Sequence, residues 1–272
     1  MTVDLTVPEA AHGPGVDEVA AWDDAHRYTP APRHRRRLLL SLMRRLDFAD
    51  VLDAGCAQPF LLADAVRRFN VPGFGCDLSE KVVAENRLAL PSCDFRTLDL
   101  TREVWPGGRT FDLVVCSEVL EHLAAWRDGL ANVVRMANRH VLITVPGGPL
   151  RAMDEKVGHV QHFRGPELVE ALEGLGCRVE RVASWGWPFH SAYKAAISRL
   201  SPDRLYESFS GGGRYGFGKK AVSEALYGLF YLNDLFGRGH QIIVLARAPG
   251  SLEKSSTVTG RAAADVSVAE AL

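Results

Sequence analysis

Two short runs decide most of what this chain can become. Residues 113–116 read Leu-Val-Val-Cys and residues 242–245 read Ile-Ile-Val-Leu, with no polar residue interrupting either. A strand with one wet face alternates apolar and polar side chains. A strand that is apolar at every position must be covered on both faces. Helices packed on both sides of a mostly parallel sheet supply that cover. The two runs extend to strands at 111–116 and 241–246, and five further segments read as strands: 51–55, 73–76, 95–98, 140–145 and 178–183. Between them the apolar period changes to that of a helix. Leu123, Trp126, Leu130, Val133 and Val134 form one stripe, and Leu168, Val169, Leu172 and Leu175 form another, closed by Gly176 as a C-terminal cap. Ser79 is placed to cap the N-terminus of the helix carrying Val82 and Val83. The fold class predicted is α/β: a doubly wound, Rossmann-like, seven-stranded, mostly parallel sheet. Right-handed crossovers then gather the C-terminal ends of the parallel strands on one rim, where ligands bind.

Two features stand outside the alternation. An apolar and basic helix, at about 35–46, precedes the first strand. Residues 186–239 separate the sixth strand from the seventh and are too many for a plain connection. They are read as a helical cap over the rim. The predicted organisation is a flexible tail at 1–21, a single domain at 22–248 with the cap at 186–239, and a second flexible tail at 249–272. The net charge of −1 offers no basic field for nucleic acid and no polybasic membrane anchor. No apolar run approaches the roughly 20 residues that span a bilayer, and residues 1–30 carry no apolar core of a secretory signal. Five cysteines without a C-x-x-C pair argue against disulfides or a zinc site. These observations predict a cytoplasmic protein with reduced, buried thiols, acting on a small molecule, with no nucleic-acid or membrane partner.

The first strand runs into a loop that resembles a dinucleotide-binding turn: VLDAGCAQP at 51–59. In G-x-G-x-x-G the second glycine admits a pyrophosphate and the third admits a close helix. Here those places hold Ala57 and Phe60, so a pyrophosphate is disfavoured. Acids instead close successive strands: Asp53, Asp77, Asp99, and Glu118 within CSEVLEH at 116–122. Asp77 follows Asp53 by 24 residues, near the spacing at which an acid meets ribose hydroxyls. A nucleoside without phosphate but with a cationic tail suits such a set. Each acid also has a plain structural alternative: a helix cap for Asp53, a surface turn for Asp77, a turn cap through Thr101 for Asp99, and a solvated helix start for Glu118.

Taken together, VLDAGC at 51–56, Asp77, the pair Asp99-Leu100, FDLVVCSEVLEHL at 111–123 and HVLITVP at 140–146 resemble the class I S-adenosylmethionine-dependent methyltransferases. The likeness is to their small-molecule branch, similar to the methyltransferases of ubiquinone biosynthesis. It covers about residues 35–183 and a last strand at 240–246. It implies S-adenosylmethionine as cofactor. The methionine part would meet the backbone around Gly55 and its neighbour Cys56, the ribose Asp77, the adenine Asp99 and Leu100, and the sulfonium side Ser117; Leu78 and Glu118 are further cofactor-binding candidates.

Other candidates come from the residues themselves. Arg36 or Arg33, with Tyr28, could meet the cofactor carboxylate, or the cluster RHRRR at 33–37 is a solvated face. His122, His159 and His162 could orient or deprotonate an acceptor, since a histidine can take a proton at neutral pH; a structural role for each is the alternative. The spacing of His159 and His162 with Asp154 and Glu155 matches no ligand pattern, so no metal is expected. Trp185, Trp187, Phe189 and Tyr193 would wall a hydrophobic or aromatic acceptor, or pack on the sheet. The Gly-rich basic stretch 211–220 reads as a lid or linker. The reaction predicted is methyl transfer to a hydroxyl oxygen, less readily to nitrogen or carbon. The alternatives from other classes are a nicotinamide-dependent oxidoreductase and a non-catalytic cofactor-binding partner.

Overall fold

The computed structural model describes residues 24–197 and 215–252. The tail at 1–21, residues 253–272 of the second tail and residues 211–214 of the Gly-rich turn lie outside the described residues.

A short helix α1 (Asp24–Tyr28) leads into α2 (Pro30–Met43), after which strands and helices alternate. They are β1 (Val51–Ala54), α3 (Phe60–Phe69), β2 (Gly73–Asp77), α4 (Glu80–Ala89), β3 (Asp94–Thr97), β4 (Phe111–Ser117), α5 (Trp126–Met136), β5 (Ala137–Pro146), α6 (Ala152–Lys156), α7 (Gly165–Gly174) and β6 (Arg178–Trp185). Between β6 and the last strand come α8 (Phe189–Ile197), α9 (Phe217–Phe230) and a 3₁₀ turn at Tyr231–Leu235; then follow β7 (Gln241–Arg247) and α10 (Pro249–Leu252). The sheet order is β3-β2-β1-β4-β5-β7-β6. β7 is antiparallel to both β5 and β6, and the other neighbouring pairs are parallel. The order reverses between β1 and β4, which opens a crevice at the ends of those two strands.

The two opening runs behave as their composition requires. Leu113 and Val115 pack into one core and Val114 and Cys116 into the other; Ile243 and Leu245 divide from Ile242 and Val244 in the same way. Each such side chain taken fully out of water contributes roughly 1.5–3 kcal/mol. One core lies under α5 and α7 (Trp126, Leu130, Leu168, Leu172), the other under α2, α3 and the cap (Leu38, Met43, Leu62, Phe230).

The local stops are also where the sequence places them. Ser79 Oγ accepts the Val82 amide at 3.3 Å, capping α4. Gly176, at φ +81°, ends α7: its amide donates to Glu173 O at 2.9 Å and that of Cys177 to Leu172 O at 3.0 Å. One boundary is displaced. The basic helix α2 starts at Pro30, not near residue 35, because proline is pre-organised for a first helical turn. The arginines at 33–37 therefore stand a turn or more inside the helix. All five cysteines are buried and free. No helix among the described residues is long and apolar enough to cross a membrane.

Candidate functional site

The loop after β1 has no amide left for a phosphate at residues 55–57. The amides of Gly55 and Cys56 both donate to Cys76 O, at 2.8 and 2.9 Å, and that of Ala57 donates to Asp77 Oδ2 at 3.0 Å. Asn86 clamps the other side of that residue, donating Nδ2 to Ala57 O at 2.7 Å. These bonds hold Ala57 at φ +40°, a conformation an L-residue adopts at a cost. Gly55 sits at φ +81°, and a Cβ there would lie 2.4 Å from Val119 Cγ2. Only glycine lets the loop lie this close to the segment leaving β4. Phe60, in place of the third glycine of a dinucleotide turn, becomes a wall of the resulting cavity.

The end of β4 is held as firmly. Glu118 adopts φ +57°. Its amide donates to Thr144 O at 2.9 Å, its Oε1 accepts the Thr144 hydroxyl at 3.2 Å, and its Oε2 stands 3.0 Å from Arg35 Nη1. Ser117 Oγ lies 2.9 Å from the same Thr144 hydroxyl. Arg35 belongs to a set. Arg33 pairs with Glu224 of α9 at 2.7 Å, Arg36 with Asp64 of α3 at 2.9 Å, and Arg37 with Asp234 of the 3₁₀ turn. Arg33 also lies 3.9 Å over the Tyr227 ring and Arg37 4.2 Å over that of Tyr231. The basic cluster is thus a clasp: two arginines fasten the cap, and two bind the walls of the cavity.

Between β1, β4 and α2 lies a cavity of about 390 Å³, within the range of small-molecule sites. Pro32, Leu39, Phe60, Leu61 and Val157 supply its apolar wall. Arg35, Arg36, Asp53, Gln58, Ser117, Glu118, His122 and His159 supply its polar one. Asp53 is buried, and desolvation, reinforced by the Asp77 charge, pushes its carboxyl up to about 7. A carboxyl so placed gains most from a cation beside it.

The histidines form a chain at one end of this cavity. His122 Nδ1 lies 3.1 Å from Gly158 O. His162 Nδ1 lies 3.2 Å from Gly148 O, and His162 Nε2 lies 3.2 Å from His159 Nδ1. Burial, then the neighbouring His122, pulls His159 down to about 4, so its ring is neutral at pH 7. His162 stands behind His159 and does not line the cavity; burial lowers it too. Glu121, beside His122, is wholly buried, and among the described residues neither carboxyl oxygen has a hydrogen-bond partner. Desolvation and the charge of Glu118 push it up to about 9.

The sequence candidates therefore separate. Arg36, Asp53, Gly55, Cys56, Ser117, Glu118, His122 and His159 meet at the cavity. Asp77 holds the loop above it, with its second oxygen accepting the Ser79 amide at 2.9 Å. Leu78 is 68% exposed at the next strand end. Asp99 takes its structural alternative: it accepts the Thr101 amide and hydroxyl at 2.9 and 2.7 Å, which hold its carboxyl below the usual range. Leu100 is buried in the core. Tyr28 stacks on Tyr215 with centroids 6.3 Å apart and does not reach the cavity.

The aromatic wall is the main correction. Trp185 is fully buried, its ring 4.7 Å from that of His34, because it occupies an inward position at the end of β6. Trp187 is 48% exposed and packs edge-on against Phe236. Phe189 and Tyr193 pack on the core beside Phe230. Next to this segment lies a small second cavity of about 50 Å³ that includes His190, Ser191 and Lys194. Sequence reasoning missed Arg35, Asn86, Thr144 and the partnerless Glu121. Only the adjacency of Glu121 to His122 in the chain could have flagged the last.

Comparison with known proteins places this geometry. The family model described as a methyltransferase domain matches residues 25–182. No curated protein matches the chain. Among solved structures, magnesium protoporphyrin IX methyltransferase from Synechocystis PCC 6803, with bound SAH, is 16% identical, at a TM-score of 0.51, over 79% of this chain and 82% of that one. The [4+2]-cyclase SpnF is 17% identical, at 0.55, over 87% and 92%. Phosphoethanolamine N-methyltransferase 2 from Haemonchus contortus, in complex with S-adenosyl-L-methionine, is 15% identical, at 0.55, over 86% and 57%. At these identities the likeness is one of fold.

Proposed function

The chain belongs to the methyltransferase-domain family, and from that premise we propose that it transfers the methyl group of S-adenosylmethionine to a hydroxyl oxygen of a small hydrophobic or aromatic acceptor. The observation that carries the reading is the loop at 55–57, which keeps no amide for a phosphate yet lies beside the buried carboxyl of Asp53. A dinucleotide needs donors there; a cationic cofactor needs the acid.

S-adenosylmethionine, when bound, supplies a methyl group on a sulfonium that an oxygen can displace directly. Asp53 would hold its ammonium, and the bare Gly55 would admit the chain beside Val119. Asp77, at the end of β2, accepts the Ala57 and Ser79 amides, and the lone pairs its carboxylate has left would meet the ribose hydroxyls; Leu78 would lie against the nucleoside and Ser117 and Glu118 beside the sulfonium. Positioning is the main contribution of such a site, since a direct displacement depends on alignment. The acceptor would lie against Phe60, Leu39 and Val157. Neutral His159, with His122 beside it, would take its hydroxyl proton as the new oxygen–carbon bond forms, and His162 would keep the His159 ring turned. This pocket, and not the Trp185–Tyr193 segment, would choose the acceptor.

The test is calorimetric titration with S-adenosylmethionine and with its demethylated product, followed by mass spectrometric detection of that product over a panel of phenols, alcohols and amines. Micromolar binding, with turnover only on hydroxylated members, is the expected result. Absence of binding to either nucleoside would end the proposal, and turnover confined to amines would move the acceptor atom to nitrogen.

A further inference from the structure

The small second cavity shares no lining residue with the main one. Its volume of about 50 Å³ has room for about four water molecules, or for one small polar group. Its walls come from several elements. Arg151 precedes α6, His190, Ser191 and Lys194 belong to the first two turns of α8, and His240 precedes β7. Arg151 and Lys194 are cations, and among the described residues that line the cavity none is an acid. The buried Asp154 does not line it but fixes both cationic residues. Its Oδ1 meets Lys194 Nζ at 2.9 Å, and its Oδ2 accepts the Arg151 amide at 3.1 Å. An ammonium carries three donors, so one ion pair does not exhaust it. Burial, then the charges of Lys194 and Arg35, pull His190 down to about 3. At pH 7 its ring is therefore a neutral hydrogen-bonding group in a positive field.

We propose that this cavity binds the carboxylate group of a small molecule other than the methyl acceptor. The groups around it are those that recognise an anion: a guanidinium fork, an ammonium, a hydroxyl and the positive end of helix α8. Two observations favour a carboxylate over a phosphate. The cavity is small, and Asp154 is bonded to the same ammonium. A dianion there would meet a like charge at close range, and a monoanion meets half of that repulsion. The absence of a shared lining residue separates this ligand from the acceptor, whose place is the main cavity. Its occupant would still be felt there. An anion that draws on Lys194 leaves more of the Asp154 charge facing His162, whose Nε2 lies 3.7 Å from Asp154 Oδ2 and 3.2 Å from His159 Nδ1. The proposal does not rest on the methyl-transfer reading, because carboxylate binding is measured directly.

The full-length chain, isotopically labelled, is titrated with sodium acetate at constant ionic strength and followed by nuclear magnetic resonance, with sodium phosphate as the comparison. Saturable binding of acetate is expected, with the millimolar affinity usual for so small a probe. The amide signals of Gly147, Ser191 and Lys194 should shift most, and those of Gly55 and Gln58 in the main cavity should stay in place. This pattern locates the site in the unaltered chain even if a variant fails to fold. Affinity for acetate should fall about tenfold in Arg151→Gln and in Lys194→Gln, and hold in Lys81→Gln, whose ammonium is exposed on α4. Saturation with the demethylated cofactor should leave acetate binding unchanged. Failure of that cofactor to bind would end the methyl-transfer reading without touching this one. No saturable response to acetate, tighter binding of phosphate, shifts centred on Gly55 and Gln58, or an equal loss in Lys81→Gln would each overturn the assignment. Competition between acetate and an acceptor that is turned over would overturn the separation of the two ligands.

Discussion

At the scale of single residues, the strand-end loops are governed by what each position cannot hold. Gly55 combines φ +81° with a Cβ position 2.4 Å from Val119. Gly55→Ala is expected to lose about 3 kcal/mol of stability, from backbone strain and overpacking together, and to lose cofactor binding; chemical denaturation and calorimetry would read both. Asp53 gives a pH dependence with a definite sign. Its folded pKa of about 7 lies above the ordinary carboxylate value, so the native state holds a proton that the unfolded chain has released. The contribution of Asp53 to stability therefore falls as pH rises from about 4 to about 7. Asp53→Asn should raise the melting temperature of the free protein at pH 8. Cofactor affinity should move the opposite way, since only the ionised carboxyl pairs with an ammonium. It should fall about tenfold for each pH unit below 7 in the unaltered chain and stay flat and weak in the variant. Asp53 was legible in the sequence because acids at strand ends recur in series. Glu121 was not, because nothing in its neighbours says that its carboxylate is buried beside His159, 38 positions later.

At the scale of elements, caps and clasps decide where helices lie. Ser79 is a local device and was readable as such. Ser79→Ala should cost about 1 kcal/mol, a fall of about 2–4 °C in melting temperature for a domain of this size, with no change in the cavity. The arginines of α2 are a different case. A run of four arginines around one histidine reads as a solvated face, and each one instead meets an acid from another element: Glu224, Glu118, Asp64 and Asp234. Partners so distant in sequence leave no periodic trace. The aromatic segment that opens the cap is a related case. Composition shows that Trp185 and Phe189 are large and apolar. Whether they wall a cavity or fill a core depends on which face of β6 and α8 points inward, and here it is the core face.

For the whole molecule, the join between cap and sheet carries a conditional weakness. His34 and His190 are both buried there, against Trp185 and Phe230. Burial lowers the pKa of each, that of His190 to about 3. The unfolded chain takes up protons near pH 6.5 that the native state refuses, so stability is complete above that pH and declines as pH falls below it. Hydrogen exchange in α9 is expected to accelerate at pH 5 relative to pH 7.5 while β4 and β5 stay protected. Uniform loss across the sheet would show that the cap is not the weak point. The seven-stranded α/β sheet, its strand positions and the acids on its rim could be read from the chain alone. Burial on both faces and helix periodicity are properties of neighbouring residues, so they survive in one dimension. The cavity wall, the arginine clasp and the meeting of Glu121 with His122 and His159 were decided by the tertiary structure. They depend on loop dihedrals such as φ +57° at Glu118 and on which distant elements pack together, and no local run of residues encodes either.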